Sequence, residues 1–99
     1  MALFCIIGYD AVGSAEKREI HKETHIKYLQ KLNQEKRLLT VGPFFSGNTT
    51  DSPATGSLYI VDFDTLEEAR TWFEQDAYYQ SGIYKTLDVR PYIDAMPYC

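Results

Sequence analysis

The segment SAEKREIHKETHIKYLQKLNQEK, residues 14–36, contains neither glycine nor proline and spaces its apolar residues as a helix does. Ser14 is a good N-cap, and Glu16 places a negative charge in the first turn, where the helix dipole favours it. At about 100° per residue, Ile20, Thr24, Tyr28, Leu29 and Leu32 share one side. Lys22, Glu23, Lys27, Gln30, Asn33 and Gln34 lie mostly on the other. His21 and His25, four residues apart, both fall inside the apolar stripe, and Arg18 falls at its edge. The spacing therefore predicts a helix that turns two histidines toward the protein, where each imidazole needs a polar partner.

Working outward, Ala2–Tyr9 is a short apolar run followed by Asp10-Ala11-Val12-Gly13, which predicts a strand buried on both faces. Arg37–Val41 reads as a second strand, broken or bent at Gly42-Pro43. Ser46–Thr55 is rich in Gly, Asn, Thr, Ser, Asp and Pro and reads as a surface loop. Gly56–Asp64 is a third strand, again apolar on both faces. Asp64 and Thr65 offer overlapping caps, with Glu67 and Glu68 three residues on, before a short helix through Leu66, Ala69, Trp72 and Phe73. Asp76 can cap a further helical turn that Gly82 ends. From Thr86 to about Ala95 the residues alternate, and Pro91 places that strand at an edge or bend. The order β-α-β-β-α-β over residues 1–99 predicts one α+β domain, a ferredoxin-like sandwich with helices on one face of an antiparallel sheet. The other face is left bare, and a second copy of the chain, giving a homodimer, is its simplest cover.

The formal net charge of -4 offers no basic surface for nucleic acid. No stretch is long enough to cross a bilayer, and the apolar start lacks the basic residues of a signal peptide, so the expected location is cytoplasmic. Cys5 and Cys99 do not form a disulfide framework; a buried thiol and a frayed terminal one are expected.

Three readings of the histidines remain open on the residues alone. His25 can be a core histidine bonded to a backbone carbonyl. His21 and His25 can ligate a metal at i and i+4, with Asp76 in principle completing the set, but there is no third histidine and no glutamate in the zinc-protease pattern. His25 can be a general base, with a carboxylate such as Asp76 fixing its tautomer. No phosphate-binding glycine loop or GxSxG motif is present, and neither cysteine has a neighbour that activates it. Covalent catalysis is disfavoured.

Glu16-Lys17-Arg18, His25-Ile26-Lys27-Tyr28-Leu29, Arg37-Leu38-Leu39-Thr40-Val41-Gly42-Pro43, Asp76-Ala77-Tyr78, Gly82-Ile83-Tyr84 and Val89-Arg90-Pro91-Tyr92 follow one another across nearly the whole chain. In that order and spacing the chain resembles the YciI-like (YCII-related) proteins, small dimeric α+β barrel proteins of the ferredoxin-like type. The resemblance implies a histidine–aspartate active-site pair, His25 with Asp76, although Ala77 stands where the family usually has proline. It also implies links to chloroaromatic or muconolactone breakdown. The expectation is a cofactor-free, metal-free enzyme that abstracts a proton from a small ring compound, with dehydrochlorinase-like elimination or isomerisation. The competing expectation is a binding or regulatory module without turnover. Arg18 is expected to hold an anionic group of the substrate, with Tyr9, Tyr28 and His21 as further contacts; His21 rests on the helical wheel alone.

Overall fold

The computed structural model describes residues 2–96, so Cys99 lies outside the described residues. Four strands, β1 (Leu3–Asp10), β2 (Leu38–Phe45), β3 (Ala54–Asp62) and β4 (Tyr84–Tyr92), form one sheet in the order β2-β3-β1-β4. All neighbours pair antiparallel. Three helices, α1 (Ser14–Gln34), α2 (Leu66–Glu74) and the single turn α3 (Ala77–Gln80), complete the βαββαβ order. The α+β, ferredoxin-like expectation holds. None of the described helices is long and apolar enough to cross a membrane.

The two central strands are the two that are apolar on both faces, β1 and β3. Phe4, Ile6, Tyr59 and Val61 point toward the helices and meet Leu29, Leu32, Phe63, Ala69 and Phe73 in the core. Leu3, Cys5, Ile7 and Leu58 are half-buried on the opposite face. Cys5 is a free thiol there, and burial, helped by Asp88, pushes its pKa up.

Gly42-Pro43 does not break β2. The strand runs on to Phe45 because it is an edge, where a missing backbone N–H costs no ladder bond. Pro91 sits in the other edge strand, β4, which begins two residues earlier than Thr86 and ends at Tyr92. β3 likewise begins at Ala54 rather than Gly56.

Ser14 is not the cap of α1. Gly13 takes that position in the left-handed region, at φ 82°. The Ser14 hydroxyl lies 2.7 Å from both the Ala11 and Ile83 carbonyl oxygens, tying the helix start to the chain entering β4. At the other end no glycine stops the helix. Lys36 adopts φ 60°, and the bonds Lys36 N–H to Asn33 O and Arg37 N–H to Leu32 O form a Schellman closure. Thr65 caps α2, accepting from the Glu68 backbone N–H.

The inward row of α1 is Ser14, Arg18, His21, His25, Tyr28, Leu29 and Leu32. Ile20 and Thr24, expected inside, are outside, with Ile20 67% exposed. The N-terminal half of the inward row is polar, so hydropathy alone pulls the apparent stripe round toward Ile20.

Two close approaches on the central strands shape what lies above them. Tyr84 lies across Gly8, where a Cβ would come within 2.7 Å of the ring. Phe44 lies across Gly56 on the other face, where a Cβ would strike that ring and sit 2.6 Å from the Gly8 carbonyl oxygen. Gly56→Ala should therefore cost about 1–3 kcal/mol, as overpacking does. Phe44→Ala in the same chain should recover only part, because the carbonyl contact remains. Urea unfolding midpoints measure both; an unchanged midpoint for Gly56→Ala would contradict the packing described.

Candidate active site

Helix α1 presents Arg18, Lys22 and His25 along one flank, at spacings of four and three residues. The turn between α2 and α3 supplies Asp76, α3 supplies Tyr78, and β3 supplies Ser57 and Tyr59. Asp76 occupies the N-cap position of α3, yet its side chain makes no cap bond. It turns instead to His25.

His25 Nδ1 lies 2.7 Å from Asp76 Oδ2. Asp76 is fully buried, and the His25 side chain is 10% exposed. A carboxylate only accepts, so Nδ1 carries the hydrogen and the neutral ring keeps Nε2 as its acceptor. Among the described residues, Nε2 has no hydrogen-bond partner, and neither has Asp76 Oδ1. Tyr78 stacks flat on the imidazole, with centroids 3.7 Å apart and planes at 1°. Tyr59 meets the imidazole edge-on at 6.2 Å. The ring is thus fixed in its plane by stacking and in its rotation by Asp76.

The phenols around the pair stay protonated. Burial pushes up the pKa of Tyr28, Tyr59, Tyr78 and Tyr84, and the Asp76 charge pushes each the same way. Tyr59 and Tyr84 share a hydrogen bond of 2.8 Å beneath the site.

Arg18 is held on two sides. Its Nε and Nη2 donate to the two Asp10 oxygens at 2.8 Å each, and Nη2 also donates to Ser57 Oγ at 2.9 Å. Burial opposes the Arg18 charge, but the Asp10 hydrogen bond and charge outweigh it and its pKa rises. Nη1 makes no hydrogen bond to a described residue. Tyr78 joins the two clusters. Its hydroxyl donates to the Arg18 carbonyl oxygen at 3.1 Å, and its ring lies 5.5 Å from the guanidinium carbon.

These groups open on a cleft of about 190 Å³ between α1 and the β2–β3 edge. Arg18, Lys22, His25, Ser57 and Tyr78 form its polar wall, and Ile26, Val41 and Pro43 its apolar wall. A larger groove of about 630 Å³ lies at the opposite end of β1, beside Leu39 and Ile93. It contains neither member of the His25–Asp76 pair, so the smaller cleft is the chemically equipped one.

The site residues expected from sequence divide accordingly. His25 and Asp76 are brought together, and Arg18 stands beside them. Tyr9 is not: it is 44% exposed on the far sheet face, packed edge-on against Phe44 at 5.7 Å. Tyr28 backs the pair rather than lining the cleft; its hydroxyl donates to the Trp72 carbonyl oxygen at 2.7 Å and its ring stacks on Trp72. His21 is half-buried in the inward row but does not line the cleft. Sequence reasoning missed Tyr78, Ser57, Asp10 and Lys22. Only Lys22 carried a usable signal, its spacing from Arg18 and His25. Among the described residues, no group of three or more His, Cys, Asp or Glu is placed to hold a metal.

The model of the YCII-related domain matches residues 2–93. Protein YciI of Escherichia coli is 38% identical over 93 residues, covering 91% of this chain and 95% of its own. An uncharacterised protein of Haemophilus influenzae is 35% identical over 92 residues, covering 90% and 94%. Among solved structures, the 5-chloro-2-hydroxyhydroquinone dehydrochlorinase TftG of Burkholderia phenoliruptrix, in complex with 2,5-dihydroxybenzoquinone, matches with a TM-score of 0.81 at 26% identity, covering 92% of this chain and 93% of its own. A NIPSNAP domain protein of Burkholderia xenovorans, at 12% identity and a TM-score of 0.55, shares the fold. Matched along nearly its whole length by the domain model and by these relatives, the chain belongs to the YCII-related family.

Proposed function

We propose that this protein is a small cofactor-independent enzyme in which His25, oriented by Asp76, moves protons on a single-ring, hydroxylated substrate. The observation that carries the reading is the buried Nδ1–Oδ2 contact of 2.7 Å behind an imidazole that lines a cleft. An apolar cavity of roughly 150 Å³ accepts one benzene, so a cleft of about 190 Å³ suits one ring with small substituents. TftG, which binds 2,5-dihydroxybenzoquinone, supports a ring compound and a dehydrochlorinase-like reaction.

The steps follow from one base. Nε2 takes the proton of a ring hydroxyl, and the charge left on oxygen spreads into the ring. The imidazolium returns that proton to a ring carbon, giving the keto tautomer. Isomerisation stops there. If that carbon bears chlorine, loss of a second hydroxyl proton to Nε2 expels chloride with the C–Cl bonding pair. The ring becomes a quinone, HCl is the other product, and no external oxidant is needed. Asp76 stabilises the imidazolium at each stage without taking its proton. Such a reaction belongs to the breakdown of aromatic compounds in the cytoplasm.

A homodimer is part of the same reading. The outer face of β1 and β3 presents Leu3, Cys5, Ile7 and Leu58, flanked by exposed Tyr9, Leu39 and Tyr92. A face of that kind on so short a chain is covered most simply by its own copy, closing a dimeric α+β barrel. Sedimentation at micromolar concentration should return twice the chain mass, and a stable monomer would remove the basis for the barrel.

The pair can be tested on the chlorinated ring that TftG consumes. Loss of one acid–base group typically costs about 10²–10⁴ in rate. His25→Ala and Asp76→Asn should each fall in that range, with the double variant little worse than His25→Ala. His25→Ala also leaves a buried carboxylate unpaired, so His25→Gln serves as a second test that keeps a donor for Asp76. Parent-level turnover by folded His25→Gln would show that His25 is not the base and would favour a binding or regulatory module. Chelator-treated protein should keep full activity; stoichiometric zinc or iron whose removal abolishes function would overturn the acid–base account.

A further inference from the structure

The helix flank that carries His25 also carries a cation that the reaction above leaves unused. Arg18, Lys22 and Ile26 follow at four-residue spacing, and His25 lies three residues after Lys22. All four line the cleft. The charges there fall into sets. Arg18 is neutralised by Asp10 through two hydrogen bonds. His25 is paired with Asp76. Lys22 forms no ion pair with any described residue.

We propose that Lys22 binds the oxyanion of the substrate, so that the cleft selects rings that are anions at neutral pH or become anions when His25 removes a proton. This rests on the proposed function and adds the substrate's charge to it. With Asp76 ionised, the His25–Asp76 pair carries one negative charge before proton transfer, and Lys22 stands three residues from His25 on the same flank of α1. After transfer the pair is neutral overall and the substrate has gained a negative charge. Lys22 is then the uncompensated cation at the site, facing the new oxyanion. The apolar wall of Ile26, Val41 and Pro43 lowers the local polarity and strengthens that attraction. Arg18 contributes its Nη1 edge, but its charge is already met by Asp10.

The probe is 2,5-dihydroxybenzoquinone, an anion at neutral pH, with hydroquinone as an uncharged ring of similar size. Calorimetric titration of the parent should show saturable binding of the anion that weakens as salt is raised. Lys22→Met should weaken it about tenfold, as loss of one charged hydrogen bond does, while Lys22→Arg should stay close to the parent. Hydroquinone affinity should be nearly the same in all three proteins. Lys22 is exposed, so the variants should keep the parent circular dichroism spectrum. Anion affinity unchanged in Lys22→Met would overturn this inference while leaving the His25–Asp76 reading standing. Equal weakening of the neutral ring would overturn it too, because Lys22 would then act through shape. No binding of either ring to the parent would sink the inference and the proposed function together.

Discussion

The hydrogen bond between His25 Nδ1 and Asp76 Oδ2 ties the middle of α1 to the turn between α2 and α3, across 51 residues of sequence. Asp76 is fully buried, and His25 is the one hydrogen-bond partner of its carboxylate among the described residues. A carboxylate buried with one partner is stable only while that partner stays. Removing one member of a buried pair typically costs about 3–5 kcal/mol, because the other is left uncompensated. That dependence fixes where the helices sit and where the imidazole points. It also gives the site its direction: one ring nitrogen is committed inward, so the other faces the cleft.

The rest of the site is built in layers on this bond. Tyr78 sits on the imidazole face and hands its hydroxyl to the Arg18 backbone, so the two polar clusters of α1 are locked to each other. Gly8 lets Tyr84 lie flat over β1, which places its hydroxyl against Tyr59 under the pair. α1 therefore has two halves with different work. Its C-terminal half, through Leu29 and Leu32, joins the apolar core with Phe4, Phe63 and Phe73. Its N-terminal half buries ions and hydrogen bonds, which specify position sharply but contribute stability only when every group is satisfied.

The element order was legible because the two central strands are apolar on both faces and the helices are amphipathic. His25 was legible because it shares a side with Leu29 and Leu32. The tilt of the stripe was misread, since Ser14 and Arg18 take inward positions through polar partners that hydropathy cannot register. Pro43 looked like a strand end because an edge position is a tertiary fact. Local sequence left Asp76 either a cap or a candidate carboxylate for His25, and the family resemblance was needed to choose the pairing. The stacking of Tyr78 on His25 joins segments distant in the chain, and the Asp10–Arg18 pair forms across the turn from β1 into α1, which no helical or strand period encodes.

The central claim is that Asp76 holds His25 with its hydrogen on Nδ1 and leaves Nε2 basic toward the cleft. Nitrogen-15 spectra of the imidazole, recorded on the dimer or monomer as it exists in solution at a pH where His25 is neutral, read this directly. The account predicts a protonated-type shift for Nδ1 and an acceptor-type shift for Nε2. A neutral His25 with its hydrogen on Nε2 would contradict it.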